Sequence, residues 1–210
     1  MSTGCPEVAV SFGASSILTH NFNHLWCEAY NRRASDGITH FAMLHSDIGP
    51  NTGWLATLLQ ELKATDSAMV SAVSPLKCFD GLTSTALDLG DKVRRLTLRE
   101  VFTQLPETFS GQDTLRVFQN SRLLLNTGCF ILDMAKVDPG SAFFTFHDSV
   151  AFRDGKWSCD FVPEDWLFSR MLIEHGLKLS ATRKVRLEHF GPIGFHNQDG
   201  WGAKSTDERV

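Results

Sequence analysis

The sequence predicts an α/β domain in which helices flank a mostly parallel β-sheet. The chain has 210 residues, 42% of them hydrophobic and 21% charged, which is enough for one domain with a sizeable core. Short apolar runs typical of strands alternate with longer stretches in which the apolar residues have helical spacing. Strands that alternate with helices favour a parallel sheet, and such sheets bind ligands beyond the carboxyl ends of their strands.

The first half of the chain has the clearest elements. Leu55, Leu58, Leu59 and Leu62 form one apolar helix face, and the run 7–12 (EVAVSF) has the composition of a strand. In order, we predict a strand at 7–12, a helix at 21–33, a strand at 38–44, a helix at 54–63 and a strand at 68–74.

The second half is less regular, because residues 75–114 mix Gly, Ser, Asp and Arg. The Phe-rich segment 138–159 is predicted to be a loop with a turn at Asp154-Gly155. We further predict a short helix at 98–104, a strand at 122–133 interrupted by Asn126-Thr127-Gly128, a helix at 166–175 that Gly176 ends, one or two strands at 178–189, and a frayed polar tail from 197.

Composition and charge exclude several classes of protein. A net charge of −4 is unlike that of a nucleic-acid binder, and the short basic run of Arg94, Arg95 and Arg99 favours a solvated face. The five cysteines are widely spaced without a CxxC pair, which is typical of a reducing compartment. No apolar stretch is long enough for a membrane span, and no Lys or Arg precedes Arg32 as in a signal peptide. We therefore expect a cytoplasmic protein.

Two polar residues follow the strand at 38–44. His45 and Asp47 alternate with Ser46, so both side chains can lie on one face where the strand ends. An imidazole and a carboxylate in that position indicate a divalent-cation site, although a solvated junction between strand and loop explains the same residues.

Adjacent carboxylates open the helix at 166–175. Glu164 and Asp165 follow Pro163, where acidic residues compensate the helix dipole, but one of them could also act as a general base. Trp166 would then supply an apolar wall. His189 ends a later strand, and it becomes a candidate functional residue only in combination with the other two motifs.

The order of these motifs resembles that of the inverting, family 2-like nucleotide-sugar glycosyltransferases of the GT-A fold, a Rossmann-like architecture. THFAMLHSDIGPNTGWLATLLQEL is similar to the metal-binding strand and following helix of that family, and LLLNTGCFIL to its acceptor-site strand. PEDWLFSRMLIEHGLKL and VRLEHFG are similar to its base-bearing helix and its distal metal-ligand strand. The resemblance covers about 15–195, and we expect one domain at 1–196 with a polar tail at 197–210.

The resemblance implies roles for individual residues. Asp47 matches the second acid of the family's D-x-D motif and His189 its distal ligand, so both would hold Mn²⁺ or Mg²⁺, with His45 as a third ligand. Asp165, with Glu164 beside it, matches the base that deprotonates the acceptor hydroxyl. The residues implied in binding the nucleotide-sugar donor or the carbohydrate or other hydroxyl acceptor are His20, Asn21, Ser46, Lys77, Asn126, Gly128 and Trp166.

The chain departs from the family in two places, which leaves alternatives open. His45 replaces the first acid of D-x-D, and the region before the metal strand, where the nucleoside would bind, is short. A GT-A-like domain that binds a sugar or partner without turnover is therefore the second interpretation. The third is an Fe(II)/2-oxoglutarate oxygenase, in which His45, Asp47 and His189 would form the iron triad of a double-stranded β-helix.

Overall fold

The computed structural model describes residues 7–90 and 92–202 and confirms a mixed α/β architecture. Its helices are α1 (Leu18–Asp36), α2 (Trp54–Thr65), α3 (Leu98–Gln104), α4 (Gly111–Phe118) and α5 (Glu164–Glu174). Its strands are β1 (His40–Leu44), β2 (Ile48–Pro50), β3 (Met69–Ala72), β4 (Leu82–Asp88), β5 (Val93–Thr97), β6 (Thr108–Ser110), β7 (Arg122–Leu124), β8 (Cys129–Asp133), β9 (His147–Arg153), β10 (Lys156–Val162), β11 (Leu179–Thr182), β12 (Leu187–Phe190) and β13 (Gly194–His196).

The central sheet has the strand order β1-β8-β3-β11-β6. Strands β1, β3 and β11 run in one direction, but only the pairing of β3 with β11 is parallel, because β8 lies antiparallel between β1 and β3. The prediction of a mostly parallel sheet is therefore wrong for the strand pairings. One apolar cluster lies on each face: Leu58 and Leu62 of α2 pack on one side, and Trp26 of α1 and Phe168 of α5 on the other.

The predicted interruption at Asn126-Thr127-Gly128 separates two strands that belong to different sheets. Strand β7 joins β4 and β5 in a small antiparallel sheet, whereas β8 enters the central sheet. The break is held by the Ser71 hydroxyl, which donates to the Asn126 carbonyl at 2.6 Å, and by the Gly128 N–H, which donates to Asn126 Oδ1 at 2.7 Å. The chain thus changes sheet beside the ends of β1 and β3.

Most predicted elements from 18 to 74 and from 164 to 190 are confirmed, and so is the helix at 98–104. That helix begins with a capping box, in which Thr97 and Glu100 satisfy each other's backbone N–H groups. The sequence analysis missed β4, β5, β6 and α4, because their apolar residues are interleaved with Ser, Thr and Arg side chains that find partners inside the fold.

Two segments differ in type from the prediction. Residues 7–12 are exposed and form no strand, so the strand predicted there is wrong; Val10 and Phe12 lack a partner strand to cover them. The predicted loop at 138–159 is also wrong in its second part, which forms the hairpin β9–β10 around the predicted turn at Asp154-Gly155.

The start of the predicted tail packs against the domain. Asn197 is buried; its side chain accepts from the Leu187 N–H at 2.9 Å and donates to the carbonyls of Val73 and Val185. Fraying is therefore wrong for 197–202, and 203–210 lie outside the described residues. Within the described ranges, no helix has both the length and the hydropathy needed to cross a bilayer.

Candidate functional site

Asp47 and His189, predicted as metal ligands, lie side by side. Strand β2, which follows Asp47, pairs antiparallel with β12, and the Phe190 N–H donates to the Asp47 carbonyl at 2.8 Å. This pairing brings His189 Nε2 to 3.4 Å from Asp47 Oδ2. Residues 142 positions apart are thus joined by backbone pairing, which is a stiffer connection than side-chain packing alone.

The ring of His189 is oriented for ligation. Its Nδ1 lies 2.8 Å from the Pro75 carbonyl oxygen, which only accepts hydrogen bonds, so Nδ1 carries a proton. The other ring nitrogen, Nε2, faces the Asp47 carboxylate. A backbone carbonyl that fixes the tautomer in this way is typical of metal-binding histidines.

The Lys77 ammonium forms an ion pair with the Asp47 carboxylate. Lys77 Nζ lies 2.5 Å from Asp47 Oδ2, and both side chains are partly exposed. Burial acts to raise the pKa of Asp47, but Lys77 and His189 outweigh it and hold that pKa below its usual range. The carboxylate is therefore anionic at neutral pH. Lys77 is thus the counter-ion of the metal-ligand candidate, and its predicted contact with substrate stays a prediction.

His45 is close by but sits differently. Its ring stacks on Phe22 of α1, with centroids 4.9 Å apart, and burial lowers its pKa, so it is neutral at physiological pH. Its Nε2 is buried without a hydrogen-bond partner among the described residues. In that part of the chain, no three His, Cys, Asp or Glu side chains are grouped closely enough to hold a metal ion. The predicted three-ligand set is therefore not assembled there.

The two-ligand arrangement nevertheless fits a divalent cation that a substrate helps to coordinate. Divalent cations in phosphate-transferring sites are commonly held by one or two protein groups together with phosphate oxygens and water. Because Mg²⁺ prefers oxygen ligands only, the imidazole of His189 favours Mn²⁺ of the two ions predicted.

Asp165 forms the second part of the site, in the first turn of α5. Its side chain is only 7% exposed, and Oδ1 accepts from the Trp166 N–H at 2.8 Å. Burial raises the pKa of Asp165 to about 7; Glu164 adds to the rise, and Arg95 and the Trp166 N–H oppose it. Burial also raises the pKa of Glu164. A carboxyl group that titrates near neutrality can accept a proton during catalysis and release it afterwards.

Arg95 belongs to this part of the site, and the sequence analysis missed it. Its guanidinium lies 4.5 Å from the centre of the Trp166 ring, and burial lowers its pKa. The prediction that the basic run lies on a solvated face is thus wrong for Arg95. It is also wrong for Arg94, which pairs with the buried Glu100 at 2.8 Å. The sequence signal was ambiguous, because adjacent arginines on a short strand give no indication of which one faces inward.

A short segment joins the two parts. The Ser169 hydroxyl, one turn after Asp165, accepts from the Leu125 N–H at 2.9 Å, and the Gly128 carbonyl accepts from the His45 N–H at 2.8 Å. Leu125 and Gly128 are three residues apart, so their Cα atoms lie within about 11 Å of each other. The base candidate and the cation-site candidate are therefore anchored to the two ends of one tight segment.

Gly128 and Asn126 shape that segment. A Cβ at Gly128 would lie 2.5 Å from Ile48 Cδ1 and 2.8 Å from Asn126 Oδ1, so a larger residue there would force these two side chains to shift. This explains Gly128 by packing, and contact with substrate stays a prediction. Asn126 is half-buried, and its Oδ1 accepts from the Gly128 N–H. No hydrogen bond within the described ranges involves its amide nitrogen, so this donor is available to a ligand.

The remaining predicted binding residues lie between β1 and β2 and in the first turn of α1. Ser46 is exposed between His45 and Asp47, and His20 is exposed on the first turns of α1. Asn21 lies against the backbone of Gly13, beside Phe22, which contacts His45. The structure thus places the start of α1 near the cation-site candidate, with no contact between His20 or Asn21 and Asp47.

The architecture also bears on the oxygenase interpretation. A helix-flanked mixed sheet is unlike the double-stranded β-helix that this chemistry needs, and the His45–Asp47–His189 triad is not assembled among the described residues. Compared with protein-family models, curated proteins and solved structures, the chain matches none of them.

Proposed function

We propose that the chain is a metal-dependent inverting glycosyltransferase that moves a sugar from a nucleoside-diphosphate donor to an acceptor hydroxyl. The observation that supports the proposal is that two chemically different carboxylates lie on elements that hydrogen-bond to the same short segment, 125–128. Asp165 is buried with a pKa of about 7, whereas Asp47 is anionic, with His189 Nε2 3.4 Å from its Oδ2 atom. A proton acceptor and a cation site are the two groups that this reaction requires.

Asp47 and His189 would hold the cation, Mn²⁺ or Mg²⁺. When bound, such an ion neutralises charge on the donor diphosphate and so stabilises it as a leaving group. The chain's own contribution is to fix the two ligands through the pairing of β2 with β12 and through the hydrogen bond of His189 to Pro75. Lys77, which pairs with Asp47, would contact the diphosphate oxygens after it leaves the carboxylate.

Asp165 would act as the base. The acceptor oxygen forms its bond to the anomeric carbon while the bond from that carbon to the diphosphate breaks, and the hydroxyl proton passes to Asp165. This single displacement inverts the configuration at the anomeric carbon. The stacked Trp166 and Arg95 would form a wall of the acceptor pocket, with the guanidinium limiting the rise in the pKa of Asp165.

One observation favours the degenerate binding domain as a second candidate. The Lys77 ammonium already neutralises Asp47, and His45 stands where the family has a further acid, so the site is less negative than a typical metal-dependent site. A domain of this kind would bind the nucleotide diphosphate through Lys77 without turnover.

The experiment that tests the proposal measures release of nucleoside diphosphate from a panel of nucleotide sugars, with Mn²⁺ or with EDTA, and with a mixture of simple glycosides as acceptors. We expect Mn²⁺-dependent release that Asp165→Asn abolishes. Asp154→Asn, an exposed carboxylate in a turn, is the matched control and should retain activity. Release that is unaffected by Asp165→Asn would refute the assignment of the base. Absence of turnover with intact nucleotide binding would favour the degenerate domain.

A further inference from the structure

Arg95 is half-buried, yet it has no carboxylate partner. Five arginines of the described residues are half-buried, and three of them form ion pairs with carboxylates: Arg32, Arg94 and Arg170. Arg95 and Arg183 form none within 7–90 and 92–202. Of these two, Arg95 is the one whose charge acts on the carboxyl group of Asp165. Arg95 thus brings a charge that no direct contact neutralises to the side of the base candidate.

Most N–H groups of the Arg95 guanidinium are also unused. Nη1 donates to the Thr83 carbonyl at 3.4 Å, and the described part of the chain offers this side chain no other hydrogen-bond acceptor. A guanidinium has five N–H donors in a planar fork. The buried, unpartnered nitrogens of the described residues include Nε of Arg183 but no atom of Arg95. Solvent therefore reaches the unused donors of Arg95, and so can a ligand.

The guanidinium is held in a fixed position. It stacks on the Trp166 ring at 4.5 Å, and the indole N–H of Trp166 donates to the Ser84 carbonyl at 3.4 Å. Thr83 and Ser84 are consecutive residues of β4, at the point where its register with β5 shifts. Adjacent carbonyls of one strand thus orient both members of the stack. A cation that is already oriented loses little conformational freedom when it binds an anion.

We propose that Arg95 binds an anionic group of the acceptor, a carboxylate or a phosphate, and that the acceptor is therefore an acidic carbohydrate. This inference rests on the proposed transfer reaction, in which the acceptor hydroxyl lies at Asp165. Because Arg95 stacks on the residue that follows Asp165, an acceptor bound at the base presents its neighbouring groups to the guanidinium. Arginine recognises carboxylate and phosphate oxygens through two parallel hydrogen bonds.

The surrounding charges favour the acceptor over the donor as the source of this anion. The donor diphosphate would lie at the cation held by Asp47 and His189, where Lys77 supplies a positive charge. Arg95 lies instead in the part of the site that contains the base. Burial lowers the pKa of Arg95, and Asp165 and Cys78 oppose this effect. Its charge is thus costly to keep out of water, and a bound anion offsets that cost, whereas a neutral acceptor does not.

Titration of the protein with simple sugars, without donor or Mn²⁺, tests the proposal. The probes are the methyl glycosides of glucose and galactose, the methyl glycosides of the corresponding uronic acids, and the two sugar 6-phosphates. We expect an acidic probe to bind at least about tenfold more tightly than its neutral counterpart. The uronic acids and the phosphates show which anion Arg95 prefers.

Three variants assign this preference to one side chain. Arg95→Met should remove it, and Arg95→Lys, which keeps the charge but loses the planar fork, should retain part of it. Arg99→Met, an exposed arginine on α3, is the matched control and should retain all of it. Far-UV circular dichroism checks that each variant is folded. Acidic and neutral probes that fail to differ, or a preference that survives Arg95→Met, would overturn the proposal.

Titration of the same proteins with UDP, GDP, CDP and dTDP in the presence of Mn²⁺ separates this inference from the proposed function. We expect Arg95→Met to bind nucleotide as the wild type does; loss of that binding would assign Arg95 to the donor and overturn the proposal. Nucleotide binding without a preference for acids would refute the acidic acceptor alone. A preference for acids without nucleotide binding would refute the transfer reaction, and with it the acceptor role of the anion that Arg95 binds.

Discussion

The Arg95 guanidinium lies 4.5 Å from the centre of the Trp166 ring, on the residue that follows Asp165. Arg95 and Asp165 form no ion pair, yet the positive charge acts on the carboxyl group and lowers its pKa against the effect of burial. Trp166 thus holds the Arg95 guanidinium at a distance where it lowers the pKa of Asp165 without forming an ion pair with it. Two predictions concern this arrangement.

The first concerns the pH dependence of transfer. Because the base must be ionised and its pKa is about 7, kcat/KM should rise with pH through neutrality. Arg95→Met removes a charge that lowers this pKa and should therefore move the rise to higher pH. Arg99→Met, an exposed arginine on α3, is the control and should leave the profile unchanged. An identical profile for all three proteins would contradict the arrangement.

The second concerns stability. The pKa of Asp165 is raised on folding from 3.8 to about 7, so ionisation opposes folding, and this cost grows as pH rises between those values. Asp165→Asn lacks the titration and should be more stable than the wild type at pH 8, by roughly a few kcal/mol. The difference should shrink as pH falls toward 4. Urea unfolding at several pH values measures it, and a difference independent of pH would disprove the raised pKa.

The third prediction concerns Lys77 as counter-ion of Asp47. Removing its charge by Lys77→Met should free the carboxylate and tighten Mn²⁺ binding by up to about fivefold, the range expected for a partly exposed ion pair. Lys136→Met breaks a similar ion pair with Asp66 at another place and is the control. Calorimetric titration with Mn²⁺ provides the measurement. Weaker binding in Lys77→Met would show that Lys77 supports the site in some other way.

The fourth concerns Gly128. Gly128→Ala places a methyl group against Ile48 and Asn126 at distances that force the segment to shift, and we expect a loss of about 1–3 kcal/mol. Gly140→Ala meets only the Asp138 side chain, at 3.6 Å, and should be nearly neutral. Chemical denaturation of both variants gives the comparison. Equal stabilities would show that the segment adjusts freely.

Local patterns predicted the elements whose apolar residues all face one core. The helix face around Leu58 and Leu62 and the helix opened by Pro163 follow from spacing and capping alone. Strand pairing is different, because it depends on contacts between distant residues. Nothing local indicates that β8 lies antiparallel between β1 and β3, or that 7–12 lacks a partner strand.

The sequence indicates which residue types make up the candidate site, but not how they are arranged in space. Asp47, His189 and Asp165 stand out in the sequence, and the structure places the first two side by side. The counter-ion role of Lys77 and the placement of Arg95 over Trp166 arise from contacts between segments far apart in the chain. Such contacts leave no local signal, and for that reason the sequence analysis missed Arg95.

The measurement that tests the central claim most directly is calorimetric titration of the protein with UDP, GDP, CDP and dTDP, each with and without Mn²⁺. The account predicts that one nucleotide binds, that binding requires Mn²⁺, and that Asp47→Asn abolishes it. Binding to none of the four by a protein shown to be folded would contradict the assignment of a nucleotide-sugar site. Binding that is independent of Mn²⁺ would contradict the role given to Asp47 and His189.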